Sequence, residues 1–281
     1  MEYRKITPEI IKQYNDEGLK IDKDRVLTYS QLSCPLDCTY CFVDDMTTNQ
    51  SRNVAYLTNK QIDLLEKLPE KIKLIMLGCD TEFFQNRNEA IEILKKLSKN
   101  NKDISMITKI PITESFIDEI VKINDSMIEN GNVLSVSISL TCLSEEKVEK
   151  YEPKAPSPEK RIQALKLLFQ KGIPSLLSLR PLLPDVSNEE IEEIINLTKD
   201  YVIGYYSGPL YLNNDRIEKL FPNKKVENEA KQPHWMLDGN KFKEISKEGQ
   251  IDFLKNCVKK YKKEFFEGAA EGMEYIRNYK K

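Results

Sequence analysis

The stretch Cys34-Pro35-Leu36-Asp37-Cys38-Thr39-Tyr40-Cys41 places three of the six cysteines of this 281-residue chain in the spacing C-x-x-x-C-x-x-C. It directly follows a strand-like apolar run, residues 26–32. A loop that carries three thiolates can wrap around a metal centre and direct every sulfur inward. Three unrelated core cysteines are the alternative, but half of all the cysteines fall within these eight positions. The stretch therefore predicts a metal centre at the end of the first strand.

The number and type of ligands indicate which metal centre this is. Structural zinc usually takes four ligands that close a tetrahedron, whereas iron-sulfur clusters are held by cysteine thiolates and can leave one iron open. The chain has a single histidine, His234, and no second Cys/His pair at zinc-like spacing follows the loop. We therefore predict a [4Fe-4S] cluster with Cys34, Cys38 and Cys41 as its ligands. A plain zinc-binding scaffold is the alternative.

Composition and charge narrow the class of protein further. With 40% hydrophobic and 31% charged residues, the chain resembles an ordinary globular protein. No apolar run of about 18 residues predicts a membrane span, and the N-terminus lacks an apolar signal segment. Clustered cysteines in a chain of this size indicate metal ligation in a reducing compartment, so we predict a cytoplasmic protein. The net charge of -2 disfavours duplex DNA as a partner, although a local basic groove is compatible with it.

Six strand-like runs alternate with amphipathic helical patterns. The runs cover residues 26–32, 72–77, 104–108, 133–139, 175–179 and 201–206. This alternation predicts an α/β fold with parallel strands joined by right-handed crossovers. Polar residues gather at the strand ends, which favours a barrel or partial barrel whose reactive face is formed by the loops after the strands. An open doubly wound sheet is the alternative, but no Gly-rich phosphate fingerprint follows the first strand.

The pattern predicts three segments. Residues 1–25 form an N-terminal segment, residues 26–212 the core barrel, and residues 213–281 a C-terminal extension. Within this extension, apolar residues spaced three and four apart from Ile251 to Phe265 predict an amphipathic helix over 250–266 that packs on the barrel and closes its open side. Its lysines are interpreted as a solvated face, with a nucleic-acid surface as the alternative.

The cysteine spacing, with Tyr40 just before the last cysteine, resembles the cluster motif of radical S-adenosylmethionine (radical SAM) enzymes. That resemblance implies a partial (βα)6 TIM-type barrel. It also implies that the open iron chelates S-adenosylmethionine, and that one electron splits this cofactor into methionine and a 5'-deoxyadenosyl radical that abstracts a hydrogen atom from an organic substrate. An electron donor such as flavodoxin or ferredoxin is implied as a partner.

Four further stretches together resemble the spore photoproduct lyase-like branch of these enzymes. They are residues 78–85, Thr108-Lys109, residues 137–141 and residues 152–161. In that branch, a Ser/Thr after the second strand, a Lys after the third and a Ser on the fourth contact S-adenosylmethionine. The resemblance assigns these roles to Thr81, Lys109 and Ser139.

Other residues complete the predicted cofactor site. The turn after the second strand departs from the common Gly-Gly-Glu form, so Glu82 joins Thr81 as a candidate for the cofactor amine. Ser137 shares a strand face with Ser139, and Arg180 ends the fifth strand. Arg180 is a candidate for the carboxylate or ribose, with an ion pair to a barrel glutamate as the alternative. Tyr40 and Phe42 flank the last cysteine and are predicted to line the adenine site or to pack under the loop.

Cys79 is the candidate catalytic residue. In spore photoproduct lyase, a cysteine near this position returns a hydrogen atom to the product radical, and the weak S-H bond suits that role. A small core residue is the alternative. The expected substrate is a nucleoside, a nucleic-acid lesion or another small molecule. A peptide-modifying radical SAM enzyme and a non-catalytic iron-sulfur protein remain alternatives.

Overall fold

The computed structural model describes residues 6–30, 32–45, 55–222, 230–231 and 242–279. The first described element is helix α1 (Pro8–Asp16), where the Thr7 side chain accepts a hydrogen bond from the Ile10 amide and Pro8 takes the first position. Strand β1 (Leu19–Asp22) follows and pairs antiparallel with the next strand. This additional edge strand lies inside the predicted N-terminal segment.

Six parallel strands form the centre of the molecule. They are β2 (Arg25–Thr28), β3 (Leu74–Leu77), β4 (Asp103–Thr108), β5 (Leu134–Ser139), β6 (Ser175–Leu179) and β7 (Gly204–Ser207). Each pairs in parallel with the next. The sheet is completed by β1 at one edge and, at the other, by strand β11 (Glu264–Phe266), which pairs in parallel with β7. The predicted α/β fold with six parallel strands is confirmed, and the sheet does not close within the described part of the chain.

Helices follow most of the strands, and a second, small sheet lies near the C-terminus. The helices are α2 (Asn59–Glu66), α3 (Arg87–Leu97), α4 (Glu114–Glu129), α5 (Glu145–Tyr151), α6 (Pro158–Gln170), α7 (Asn188–Thr198), α8 (Asn214–Leu220), α9 (Gln250–Lys260) and α10 (Ala269–Tyr279). The small sheet consists of β8 (Leu210–Leu212), β9 (Ala230–Lys231) and β10 (Phe242–Ile245) in the order β8-β10-β9. None of the helices described is long and apolar enough to span a bilayer.

Three predicted boundaries are wrong by three or more residues. The first strand ends at Thr28 instead of residue 32, and the sixth begins at Gly204 instead of residue 201. The helix predicted over 250–266 ends at Lys260, because Lys262 takes a φ of 56° and the chain turns into β11. Phe265 therefore lies in a strand, where pairing with β7 overrides the helical spacing of its apolar residues.

Alternating side chains give the sheet two different faces. In β3, Ile75 and Leu77 point outward into the large core that the flanking helices cover, whereas Leu74 and Met76 point to the concave side. In β5, the apolar residues take the outer face, so the three serines 135, 137 and 139 share the concave face. The concave side is thus lined partly by small polar groups, which leave space there.

Helix α10 occupies the concave side near the N-terminal ends of the strands. Met273 and Ile276 pack against Leu176 and its neighbours in an inner core. At Gly272 the helix approaches so closely that a Cβ would lie 2.4 Å from a Leu176 methyl group. Arg277 forms an ion pair with Asp103 at the start of β4. The end of the barrel at the amino-terminal ends of the strands is therefore filled by α10, whereas the carboxyl ends of the strands remain accessible.

Candidate functional site

A cavity of about 790 Å³ lies at the carboxyl ends of the strands. Its volume is in the range of about 300–1,000 Å³ that small-molecule sites occupy. Most of the predicted site residues line it: Tyr40, Cys41, Phe42, Cys79, Thr81, Glu82, Lys109, Ser139 and Arg180. The C-terminal extension supplies another part of the wall, including Glu244, residues 246–251 and Phe265.

The cysteine loop folds tightly beside this cavity. Asp37 takes a φ of 50°, in the left-handed region that aspartate tolerates better than most residues, and the Cys41 amide donates to the Cys38 carbonyl at 2.9 Å. Cys38 is buried, and Cys34 and Cys41 are half-buried; all three are free thiols. Burial raises the pKa of Cys34 and of Cys38, whereas the Lys109 ammonium lowers both pKa values.

The donor chemistry of this loop fits an iron-sulfur cluster. In the part of the chain that the structure describes, no three Cys, His, Asp or Glu side chains converge as ligands of a single metal ion. Ligation of a cluster does not require such convergence, because each cysteine binds a different iron. His234, the one histidine of the chain, lies outside the described residues.

The loop is anchored on two sides. The Thr39 amide donates to the Tyr151 carbonyl at the end of α5 at 3.0 Å, and the Tyr40 hydroxyl donates to the Glu152 carboxylate. From the C-terminal extension, Arg216 of α8 donates from Nη1 to the Thr39 carbonyl at 2.8 Å. The core barrel and the C-terminal extension thus both hold the backbone between Cys38 and Cys41.

A group of buried charges lies under the loop. Glu152 and Arg161 are fully buried, with Arg161 Nη2 2.6 Å from Glu152 Oε2. Lys109 Nζ lies 3.7 Å from Glu152 Oε1, which also accepts a hydrogen bond from Thr141 at 3.0 Å. Sequence reasoning used residues 152–161 only as a resemblance and missed this network. The glutamate before Pro153 and the arginine nine positions later were the available signal.

Lys109 links this network to the cysteines. Its ammonium lies 5.7 Å from the centre of the Tyr40 ring. Burial alone would lower the pKa of Lys109, but the charges of Cys38 and Glu152 raise it above the usual lysine range, and Cys41 contributes in the same direction. The lysine is therefore a largely buried cation whose charge lowers the pKa of Cys34 and of Cys38.

The turn after β3 arranges the next part of the wall. Gly78 has a φ of 83°, and a Cβ there would lie 2.5 Å from the Ile107 carbonyl oxygen, so the position requires glycine. Asp80 accepts a hydrogen bond from the Ser30 amide at 2.8 Å and so supports the chain just before the cysteine loop. Sequence reasoning did not single out Asp80. The available signal was an acidic residue in the turn that follows a predicted strand.

Glu82 and Thr81 differ in what they contact. The Glu82 carboxylate accepts hydrogen bonds from the Thr108 hydroxyl at 2.5 Å and from the Lys109 amide at 2.9 Å, and burial raises its pKa. Both of its oxygens are thus engaged with β4, which fixes the backbone at Lys109. The Thr81 hydroxyl accepts from the Gln85 side chain at 3.3 Å, a long contact that leaves it adaptable.

The serines of β5 provide unused hydrogen-bonding groups. The Oγ atoms of Ser137 and Ser139 are buried and make no hydrogen bond within the described structure. Ser139 lines the cavity, whereas Ser137 lies deeper, near the hydroxyl of Tyr206. A buried hydroxyl without a partner costs free energy unless a ligand or water satisfies it, so Ser139 is suited to contact a bound molecule.

Arg180 and Phe42 lie elsewhere on the cavity wall. Burial lowers the pKa of Arg180, and the nearby tyrosines 206 and 211 oppose this effect. Gly208 packs directly against the guanidinium, where a Cβ would lie 2.8 Å from Nε. The Phe42 ring contacts Phe242 of β10 edge-on at 6.2 Å, so an aromatic residue from the C-terminal extension covers the end of the cysteine loop.

Cys79 presents a protonated thiol to the cavity. Its Sγ donates to the Met76 carbonyl at 3.4 Å. Burial, with a contribution from Asp80, raises the pKa of Cys79 to about 12. The side chain is therefore an S-H group at neutral pH, unlike a cysteine that acts as a nucleophile through its thiolate.

Comparison with known protein families identifies the superfamily of this chain. Residues 29–198, more than half of the chain, match the Radical SAM superfamily, and the chain belongs to this superfamily. Its members use a [4Fe-4S] cluster and S-adenosylmethionine and depend on an external electron donor, so the predicted superfamily and cofactors are confirmed. An uncharacterized protein of Methanocaldococcus jannaschii is 26% identical over 208 residues, which cover 70% of this chain and 74% of that protein.

Two solved structures share the fold. Spore photoproduct lyase complexed with dinucleoside spore photoproduct has a TM-score of 0.58 and 12% identity, over 82% of this chain and 72% of that chain. SuiB of Streptococcus suis bound to S-adenosylmethionine also has a TM-score of 0.58, with 10% identity over 92% of this chain. The present chain spans about half (52%) of the length of SuiB. At these identities the likeness concerns the fold.

Proposed function

We propose that this radical SAM protein holds its [4Fe-4S] cluster with Cys34, Cys38 and Cys41 and binds S-adenosylmethionine in the adjacent cavity. The observation that carries the proposal is the meeting of three elements at one site: the cysteine loop after β2, the cation of Lys109 after β4, and the unpaired Ser139 hydroxyl on β5. Bound together, cluster and cofactor supply a 5'-deoxyadenosyl radical that abstracts a hydrogen atom from the substrate.

Each protein group has a part that follows from its chemistry. The Lys109 ammonium offers a charge-assisted contact to the methionine carboxylate of the cofactor, and Ser139 donates from its free hydroxyl. Thr81 and the carbonyl groups of its turn face the amine, while Glu82 holds that turn and Lys109 in place. The remaining candidates are proposed around the nucleoside part: Tyr40 and Phe42 beside the adenine, and Arg180 toward the ribose. Ser137 is proposed to support this site from its deeper position on the same strand face as Ser139.

We further propose a reaction of the spore photoproduct lyase type, in which Cys79 returns a hydrogen atom to a carbon radical of the product. The position of its thiol on the cavity wall and its protonated state support this role. Transfer of the hydrogen atom leaves a thiyl radical at Cys79, which an external donor of one electron and one proton restores to the thiol.

The proposed substrate is a nucleoside or another small molecule. The cavity has the volume of a small-molecule site, and residues 246–251 together with Phe265 narrow it from the side of the C-terminal extension. Residues 26–212 thus form the proposed catalytic core, and residues 213–281 help to shape its substrate side. We place the enzyme in the cytoplasm, where thiols stay reduced, with a flavodoxin or ferredoxin as its electron donor.

Anaerobic reconstitution with iron and sulfide tests the cluster site. The parent protein is expected to bind about four irons per chain and to form 5'-deoxyadenosine from S-adenosylmethionine under strong reductant. The triple variant Cys34→Ala/Cys38→Ala/Cys41→Ala is expected to lose both properties. Cys257→Ala is the matched control, because this buried cysteine lies on α9 outside the cavity wall, and it should retain both. Zinc without iron or sulfide in the parent protein would overturn the proposal.

A substrate panel distinguishes the remaining functions. Nucleosides and dinucleotides, short peptides and other small molecules are each incubated with the reconstituted enzyme and S-adenosylmethionine. Deuterium transfer from a labelled nucleoside or small molecule into 5'-deoxyadenosine supports the proposal. Transfer from a peptide would make the protein a peptide-modifying enzyme, and no deoxyadenosine with any reductant would indicate an iron-sulfur protein without turnover.

A further inference from the structure

The Glu152 side chain joins the cysteine loop, Lys109 and Arg161. Its Oε1 accepts from the Tyr40 hydroxyl and lies 3.7 Å from Lys109 Nζ, while its Oε2 lies 2.6 Å from Arg161 Nη2. The carboxylate is completely buried, as is Arg161. Lys109 and Arg161 lower the pKa of Glu152 although burial raises it, so the group is ionised at neutral pH.

Arg161 is fixed independently of the ion pair. Its Nε donates to the Pro156 carbonyl at 2.8 Å, and its Nη1 donates to the Ser139 carbonyl at 3.1 Å. The guanidinium therefore also orients the end of β5, directly behind the Ser139 hydroxyl. The cluster loop and the wall of the cofactor cavity are thus connected through one pair of buried charges.

The charges of this group do not cancel. Within the contacting group of Glu152, Lys109 and Arg161, two cations and one carboxylate give a net charge of +1. Glu82, which accepts a hydrogen bond from the Lys109 amide, is a further acid beside this group. An isolated buried charge is unfavourable unless a charge of opposite sign lies nearby. Lys109, whose side chain is 16% exposed, lowers the pKa of Cys34 and of Cys38 in the loop. Three thiolates, which cluster binding requires, are the opposite charge that this arrangement lacks.

We propose that Glu152 is a positioning residue that sets the charge balance around the cluster: it holds Lys109 and Arg161 beside the cysteine loop and offsets one of their two charges. This inference rests on the proposed cluster site. The reduction potential of an iron-sulfur cluster depends on the net charge around it and on hydrogen bonds to its sulfurs, and nearby groups that orient ligands tune such sites. A fixed net charge of +1 stabilises the reduced cluster, and Glu152 limits that stabilisation.

The charge balance predicts shifts of opposite sign. Glu152→Gln keeps an acceptor for Tyr40 and Thr141 but raises the local charge to about +2, so the potential should rise. Lys109→Met lowers the local charge to about zero, so the potential should fall. The double variant Glu152→Gln/Lys109→Met restores the original local charge and should have a potential close to that of the parent protein. A residue that only supports the fold would not produce this pattern of signs.

The test is an EPR-monitored potentiometric titration of the reconstituted proteins without S-adenosylmethionine, with iron and sulfide content measured for each. If Glu152→Gln does not fold, the rise from Lys109→Met to the double variant still isolates the charge of Glu152. Tyr40→Phe, which removes a hydrogen bond and no charge, is the control and should shift the potential less than either charge variant. Potentials that move in the same direction in both single variants, or no rise between Lys109→Met and the double variant, would overturn the inference. A parent protein without a cluster would instead refute the proposed function.

Discussion

Arg216 on α8 donates a hydrogen bond to the carbonyl oxygen of Thr39, and its Nε lies 3.0 Å from the Asp45 carboxylate. The arginine therefore holds the cysteine loop by a hydrogen bond from the C-terminal extension, 177 positions away in sequence. Since Glu152 also holds the loop through the Tyr40 hydroxyl, the segment that carries Cys38 and Cys41 is fixed by two parts of the chain.

We expect Arg216→Met to weaken cluster retention without unfolding the protein. A hydrogen bond from a charged group contributes about 1.5–3 kcal/mol, less when partly solvated, so iron should be lost to a chelator several times faster. Glu218→Gln, an exposed neighbour on α8, is the control and should release iron at the rate of the parent protein. Equal rates of iron loss in all three proteins would show that the Arg216 hydrogen bond has no influence on the cluster.

Ser139→Ala is expected to weaken binding of S-adenosylmethionine. Loss of one hydrogen bond of about 1 kcal/mol corresponds to a roughly fivefold higher Kd, measured by anaerobic calorimetry on the reconstituted protein. Ser135→Ala is matched to it: this serine lies on the same strand and face, and its buried Oγ is also unpaired, but it is not on the cavity wall. The idea fails if both variants bind the cofactor as tightly as the parent protein does.

Cys79 is expected to act as a hydrogen donor whose efficiency does not change between pH 7 and 9.5. A cysteine with a pKa near 8.5 loses its proton in this window, whereas a pKa raised to about 12 keeps the S-H bond intact below that pH. Once a substrate is known, the fraction of correctly quenched product measures the effect. Cys79→Ala should lower that fraction, with by-products in its place. A decline in the parent protein through pH 8.5 would contradict the raised pKa.

Arg277→Met should destabilise the protein by about 2 kcal/mol, because it leaves the Asp103 carboxylate, which is 1% exposed, without its cation. The loss is kept moderate by the Val133 amide, which donates to the same carboxylate at 3.0 Å. Urea unfolding measures the change. Lys12→Met removes the exposed ion pair with Asp16 and should leave the unfolding free energy unchanged; a similar loss in both variants would argue against a special role of the buried pair.

Local signals in the sequence were sufficient for most of the barrel. Thr7 and Pro8 mark the start of α1, Thr58 and Gln61 form a capping box at the start of α2, and β6 has the predicted bounds. These features depend on a few neighbouring residues. The strand of residues 264–266 could not be predicted in this way, because its conformation is decided by pairing with β7, about 60 positions earlier.

The candidate site likewise contains residues that local sequence signals identify and residues whose roles depend on long-range contacts. The three cysteines are recognisable by spacing alone, and the superfamily follows from them. The contacts of Glu152 and Asp80 cannot be recognised from spacing in the sequence. Each depends on a partner 50 or more positions away, such as Tyr40 for Glu152 and Ser30 for Asp80. Sequence could name the residues of the loop, but the groups that hold the loop became visible only in three dimensions.

Helix α10 gives the molecule an order of assembly. Its inner core includes Leu74 of β3 and Leu176 of β6, about 100 positions apart, so we expect the helix to dock after the intervening strands have paired. Until α10 docks, the concave side is open at the amino-terminal ends of the strands as well as at their carboxyl ends. We therefore expect an early folding state in which water reaches the floor of the cofactor cavity, and a late step in which the last helix seals it. A cluster inserted after that step would be protected at the amino-terminal ends of the strands, where α10 packs.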